Sequence, residues 1–164
     1  MLALKQILVP IDFSEPSEAA LNYGIALARG FRAKLHLLHV LAKAPAESGG
    51  SVEYPIGLFE RMRDDAREHL GKILTGHQAE DVPSEFTTRV GAPYVEIVRY
   101  AKDRDIDLVV MGTHGRGLVA HMLMGSVAEN VVRRAPCPVL TVRHPQHEFV
   151  MPDETVAASA QARD

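Results

Sequence analysis

Short apolar runs alternate with amphipathic segments along this chain, and that alternation restricts the fold more than any other feature. The runs span 5–11, 33–41, 85–90, 106–111 and 138–143. Ile7-Leu8-Val9 is apolar on consecutive residues, as in a strand covered on both faces, and Ile106 to Met111 reads as the fourth strand. The run 85–90 alternates instead and reads as an edge or outer strand. Between the runs, apolar residues fall at helical spacing over 17–29, 58–75, 94–102 and 126–134. Ser14 is placed as an N-cap with Pro16 in the first turn, and Gly30 as a C′ stop. Parallel strands need crossovers, and crossovers are right-handed. The repeat, closing on a strand, therefore predicts a single-domain, doubly wound α/β sandwich: a parallel sheet with helices on both faces.

A chain of 164 residues is one domain, or one domain with a tail. Eighteen Lys and Arg against 21 Asp and Glu leave a net charge of -3, so no basic excess points to nucleic acid. No apolar run approaches the roughly 18 residues of a membrane span. The first eight residues reach a strand at once without an export signal, so the expected compartment is the cytoplasm. The single cysteine, Cys137, rules out an internal disulfide and a cysteine zinc cluster, and reads as an inert small core residue. The domain is placed at 1–144. Residues 145–164 carry Glu148, Asp153, Glu154 and Asp164 against Arg163 and read as a disordered acidic tail. The 42–57 loop, with two prolines and three glycines, is long for a compact domain and reads as mobile or functional. His36 and His39 are three apart on a strand and face opposite sides, so they cannot chelate one ion and read as packed or capped.

Ligands of parallel α/β sheets bind beyond the carboxyl ends of the strands, where strand order reverses. The loops to inspect are those after the first and fourth strands, at Asp12 and Gly112. Asp12, at a strand tip, suits a catalytic base, a ribose ligand or a helix-capping acid. The fourth strand runs into Gly112-Thr113-His114-Gly115-Arg116-Gly117 and, further on, Gly125-Ser126 at the start of a helix. Glycine lets a ligand approach the backbone closely, and free N–H groups at a helix N-terminus favour an anion such as phosphate. Ser126 adds a hydroxyl, and His114 and Arg116 add donors. No lysine precedes Ser126, so this is not a Walker A loop, and the first strand lacks the dinucleotide fingerprint. Glycines that merely permit tight turns are the alternative.

The spacing Gly112-x2-Gly115-x9-Gly125-Ser126 resembles the ATP-binding signature of the universal stress protein family. So do the opening Ile7-Leu8-Val9-Pro10-Ile11-Asp12-Phe13-Ser14, the His39-Val40 step, and the long run from Gly125 to Leu140. The resemblance implies five parallel strands in the order 3-2-1-4-5. It implies that Asp12 holds the nucleoside against a wall of Pro10 and Ile11, and that Val40 contacts adenine through its backbone. Met111, Gly112, His114, Gly115, Arg116, Gly125, Ser126 and Val127 would hold ribose and phosphates. It further implies ATP with Mg²⁺ as companion, and a homodimer paired through the last strand, Pro138 to Arg143. The expected role is a regulatory stress-response switch with slow or no hydrolysis, since no P-loop lysine and no base beside the phosphate loop is present. No catalytic residue and no protein metal site is assigned. The alternatives are a weak ATPase and a nucleotide-independent dimeric module that engages an unidentified protein partner.

Overall fold

The computed structural model of the chain describes residues 3–42, 56–76, 79–113 and 124–143. The elements in chain order are β1 (Gln6–Pro10), α1 (Glu15–Phe31), β2 (Lys34–Leu41), α2 (Ile56–Gly76), β3 (Ser84–Val90), α3 (Pro93–Asp103), β4 (Leu108–Gly112), α4 (Ser126–Arg134) and β5 (Val139–Val142). The strands form one parallel sheet in the order β3-β2-β1-β4-β5. β3 is an edge strand, as its alternation predicts. Among the described residues no helix is long and apolar enough to cross a membrane. The expected acidic tail lies outside the described residues, as does the expected 42–57 loop apart from Ala42 and the start of α2.

Side-chain alternation along the strands splits the core in two. Ile7, Val9 and Ile11 pack with Leu35 and Leu37 against Ala20, Leu21 and Ile25 of α1 and Leu70 of α2. Leu8, Leu38, Val109 and Met111 pack on the other face against Ile97 and Tyr100 of α3 and Val131 of α4. Cys137 is half-buried beside that second core, and burial pushes its thiol above the ordinary range, consistent with an inert packing residue.

The α1 N-terminus follows the sequence reading: Ser14 is the N-cap and Pro16 lies in the first turn. Its C-terminus does not. Gly30 lies inside the helix, and Arg32 takes the left-handed conformation with φ of 55°. The Arg32 N–H donates to the Arg29 carbonyl and the Ala33 N–H to the Ala28 carbonyl, closing a Schellman turn with arginine where glycine is usual. The helix must run one residue past Gly30 for Ala33 to make that bond and enter β2.

α1 lies very close to β1 at Gly24. A β-carbon there would sit 2.5 Å from Val9 Cγ2 and 3.5 Å from Leu35 Cδ1. Gly24→Ala is expected to cost about 1–3 kcal/mol through overpacking, despite alanine's better helix propensity. Adding Val9→Ala should return part of that loss, read from urea midpoints. Strictly additive losses would locate the cause elsewhere.

His36 and His39 face opposite sides. On the α3 side, His36 is 2% exposed and Tyr100 fully buried. His36 Nε2 lies 2.6 Å from Gln6 Oε1, and Nδ1 lies 2.9 Å from the Tyr100 hydroxyl. Gln6 Oε1 can only accept, so Nε2 donates and Nδ1 takes the Tyr100 proton; this assigns the tautomer from the network. The Arg89 guanidinium lies 4.9 Å over the Tyr100 ring and Arg104 5.5 Å from it. Burial holds the His36 imidazolium below its ordinary 6.5.

Candidate functional site

A cavity of about 300 Å³ opens at the carboxyl ends of β1, β2 and β4, on the α3/α4 side of the sheet. It stands where strand order reverses between β1 and β4. Pro10, Ile11 and Asp12 form one wall, Val40 a second, and Met111 and Gly112 the third, with Gly125, Ser126 and Val127 at the mouth. Every site residue singled out from sequence that falls among the described residues therefore lines this one cavity. His114, Gly115 and Arg116 lie outside the described residues.

The wall at Asp12 is built by the β1–α1 turn. The Ile11 N–H donates to the Leu38 carbonyl at 2.8 Å, carrying β1 one residue past its last formal pair. Phe13 then turns the chain with φ of 61°. Asp12 Oδ1 accepts from the Ser14 N–H at 3.1 Å and from the Ser14 hydroxyl. Asp12 thus helps secure the start of α1, the capping role that its position allowed, while also facing the cavity. Ser14 Oγ in turn accepts from the Ser17 N–H at 3.4 Å, and the Ser17 hydroxyl donates to the Ser14 carbonyl at 2.9 Å.

The mouth is built by α4. Its N-cap is Gly125, which brings no side chain to cap the helix. The Gly125 N–H donates to the Thr113 carbonyl at 2.7 Å, fastening the helix to the end of β4. The N–H groups of the first turn have no carbonyl within the helix to donate to, and the helix dipole is positive there. Ser126, Val127 and Ala128 of that turn line the cavity. α1 also brings its first turn to the cavity through Ser17, but that turn is capped by Ser14 and carries Glu15 and Glu18. Among the described residues, the first turn of α4 lacks such a capping side chain, and it carries one acidic residue, Glu129. At Gly112 a β-carbon would lie 2.7 Å from the Pro16 carbonyl oxygen, so the close seating of α1 on β4 requires the missing side chain.

Ser17, Leu38, Ile97, Thr113 and Ala128 complete the lining and were not singled out from sequence. Leu38 stands two residues before Val40 and shares its face of β2, so strand alternation could have found it. Ile97 reaches the cavity only because α3 crosses that face of the sheet, which no local pattern reports. The result is a mostly apolar cavity whose lining includes one carboxylate, Asp12, and the first turn of α4. Asp12 is the one ionisable side chain among the described lining residues.

A family model described as the universal stress protein family matches residues 3–143. The universal stress protein MJ0531 of Methanocaldococcus jannaschii is 33% identical over 147 residues, covering 88% of this chain and 85% of that protein. The solved structure of MJ0577, from the same organism, aligns with a TM-score of 0.75 at 32% identity, covering 89% of this chain and 100% of that one. A universal stress protein solved in complex with cAMP aligns with a TM-score of 0.60 at 27% identity, covering 86% of this chain and 98% of that one.

Proposed function

The chain belongs to the universal stress protein family, and from that membership we propose that it binds ATP in the cavity between β1 and β4 and acts as a nucleotide-dependent regulatory switch. The observation that carries this is that one cavity is lined both by Asp12 and by the first turn of α4, whose N-cap Gly125 brings no capping side chain. Pro10, Ile11 and the backbone at Val40 take the adenine side. Asp12 accepts from the ribose hydroxyls. Met111 and Gly112 border the ribose, and the first-turn N–H groups of α4 with the Ser126 hydroxyl hold phosphate oxygens. His114, Gly115 and Arg116 complete the phosphate loop. A relative solved with cAMP supports an adenine nucleotide as the ligand class.

Mg²⁺ would ride on the phosphates, since the described lining supplies a single carboxylate, Asp12. Among the described lining residues no lysine or general base stands beside α4, which favours slow hydrolysis at most. Residues 1–144 make up the nucleotide domain and 145–164 an acidic appendage, in the cytoplasm. β5 pairs only with β4 in this sheet and leaves Leu140 38% exposed, so residues 138–143 are the edge through which two copies would join.

The test is direct. Freshly purified, undialysed protein is denatured and the released small molecules are identified by mass spectrometry. Calorimetric titrations with ATP, AMP and cAMP, with and without Mg²⁺, follow on the stripped protein. ATP release or titration at one per chain is the expected result. Preference for cAMP would redirect the ligand assignment. Neither release nor titration of any adenine nucleotide would sink the proposal and leave the nucleotide-independent module.

A further inference from the structure

The turn that carries Asp12 is clamped from the other face of the sheet. Phe13 holds φ of 61°, a left-handed conformation that a bulky residue adopts only when its surroundings enforce it. Two rings enforce it. His69 of α2 stacks on Phe13 with centroids 4.7 Å apart and planes 11° apart. His39 of β2 meets the same ring at 4.9 Å and 49°. His39 is 8% exposed, and its Nδ1 lies 2.7 Å from the Ile11 carbonyl oxygen, where the nitrogen must donate. One imidazole therefore holds the residue before Asp12 and the residue after it. Ser14, the next residue, is tied to Asp12 directly.

Phe13, His39 and His69 do not line the cavity; Phe13 packs into the α1/α2 core. For Phe13 and His69, the route to a ligand runs through the backbone of the β1–α1 turn that carries Asp12. We propose that His69, acting through Phe13, is a positioning residue of the nucleotide site, and that α2 is thereby coupled to ligand binding. This rests on the nucleotide reading given above. Coupling of this kind is reciprocal: if α2 sets the pose of Asp12, a ligand held by Asp12 must tighten α2.

The experiment compares wild type with His69→Ala, His69→Leu and His69→Phe, after circular dichroism melting selects the variants that fold. In ligand-free protein, His69→Ala and His69→Leu are expected to speed hydrogen exchange at the Ser14 amide, which donates to Asp12. With ATP, both should bind about five- to twenty-fold more weakly. His69→Phe, which keeps a ring to stack, should restore affinity and protection. Combined with Asp12→Ala, His69→Leu should cost nothing further. In wild type, ATP should slow exchange in the α2 turn around His69. Unchanged Ser14 exchange in folded His69→Leu would overturn the clamp. So would full additivity with Asp12→Ala. Wild type that binds no adenine nucleotide would remove the nucleotide reading, while the Ser14 exchange data would still decide whether the clamp exists.

Discussion

Tyr100→Ala is expected to be the most destabilising single substitution on the α3 side of the sheet, costing about 3–5 kcal/mol. The side chain is fully buried, so its removal leaves a void at the centre of the second core. It also takes away the hydroxyl that donates to His36 Nδ1. A domain of this size holds a margin of about 5–15 kcal/mol, so the variant should melt far below wild type or fail to accumulate. Tyr100→Phe separates the two contributions. It keeps the ring and its contacts but removes the hydroxyl, which orphans the imidazole nitrogen and takes away the 3.4 Å contact with Thr87 Oγ1, at about 1–3 kcal/mol. Urea midpoints for the pair, with equal slopes, measure both.

The same network makes stability depend on pH with a definite sign. Burial keeps the folded His36 imidazolium below 6.5, so the unfolded chain binds more protons in the window just beneath that value. Stability contributed by the neutral imidazole is complete above the unfolded pKa and is lost as pH falls toward the folded one. Urea midpoints should therefore fall as pH drops through and below about 6.5, and His36→Gln should flatten that slope. A wild-type profile with no slope that His36 controls would refute this account.

Asp12→Ala is expected to weaken ATP binding by about ten- to a hundred-fold. A carboxylate accepting a ribose hydroxyl contributes about 1.5–3 kcal/mol, and every 1.4 kcal/mol is a factor of ten. Asp12 also accepts from Ser14, so part of the loss could come through a loosened α1 N-terminus. Ser14→Ala controls for that. It removes the hydroxyl on Asp12 and the cap on Ser17, and should cost about 1 kcal/mol in stability with a much smaller change in affinity. Calorimetry on all three proteins decides the matter. Equal losses in the two variants, or none in Asp12→Ala, would take the ribose away from Asp12.

The features that sequence displayed are those that short-range chemistry writes into neighbouring residues. Alternating apolar runs report strands and helices, Ser14 reports a cap, and the glycines of β4 and α4 report where backbone must come close. The order of the strands is different. Alternation requires parallel crossovers but does not rank them; the order came from the family resemblance and is the one observed. The end of α1 was misplaced because glycine signals a permitted left-handed residue, whereas the actual stop at Arg32 is set by the path into β2. Ile97 in the cavity and His69 on Phe13 had no sequence signal, since each depends on where a helix distant in the chain comes to rest.

β1 serves two masters. Ile7 and Val9 belong to the core under α1 and α2, Leu8, Pro10 and Asp12 look toward α3, α4 and the cavity, and Ile11 at the strand's end joins both that core and the cavity wall. Substitutions within the strand are graded in their effects, because Ile7, Leu8, Val9 and Pro10 each touch one side only. Loss or gain of a single residue is not. It would exchange the two sets and drive the Asp12 carboxylate among aliphatic side chains. The segment can drift in spelling but not in length, so variation among functional descendants of this chain must spare the count of residues between Gln6 and Ser14.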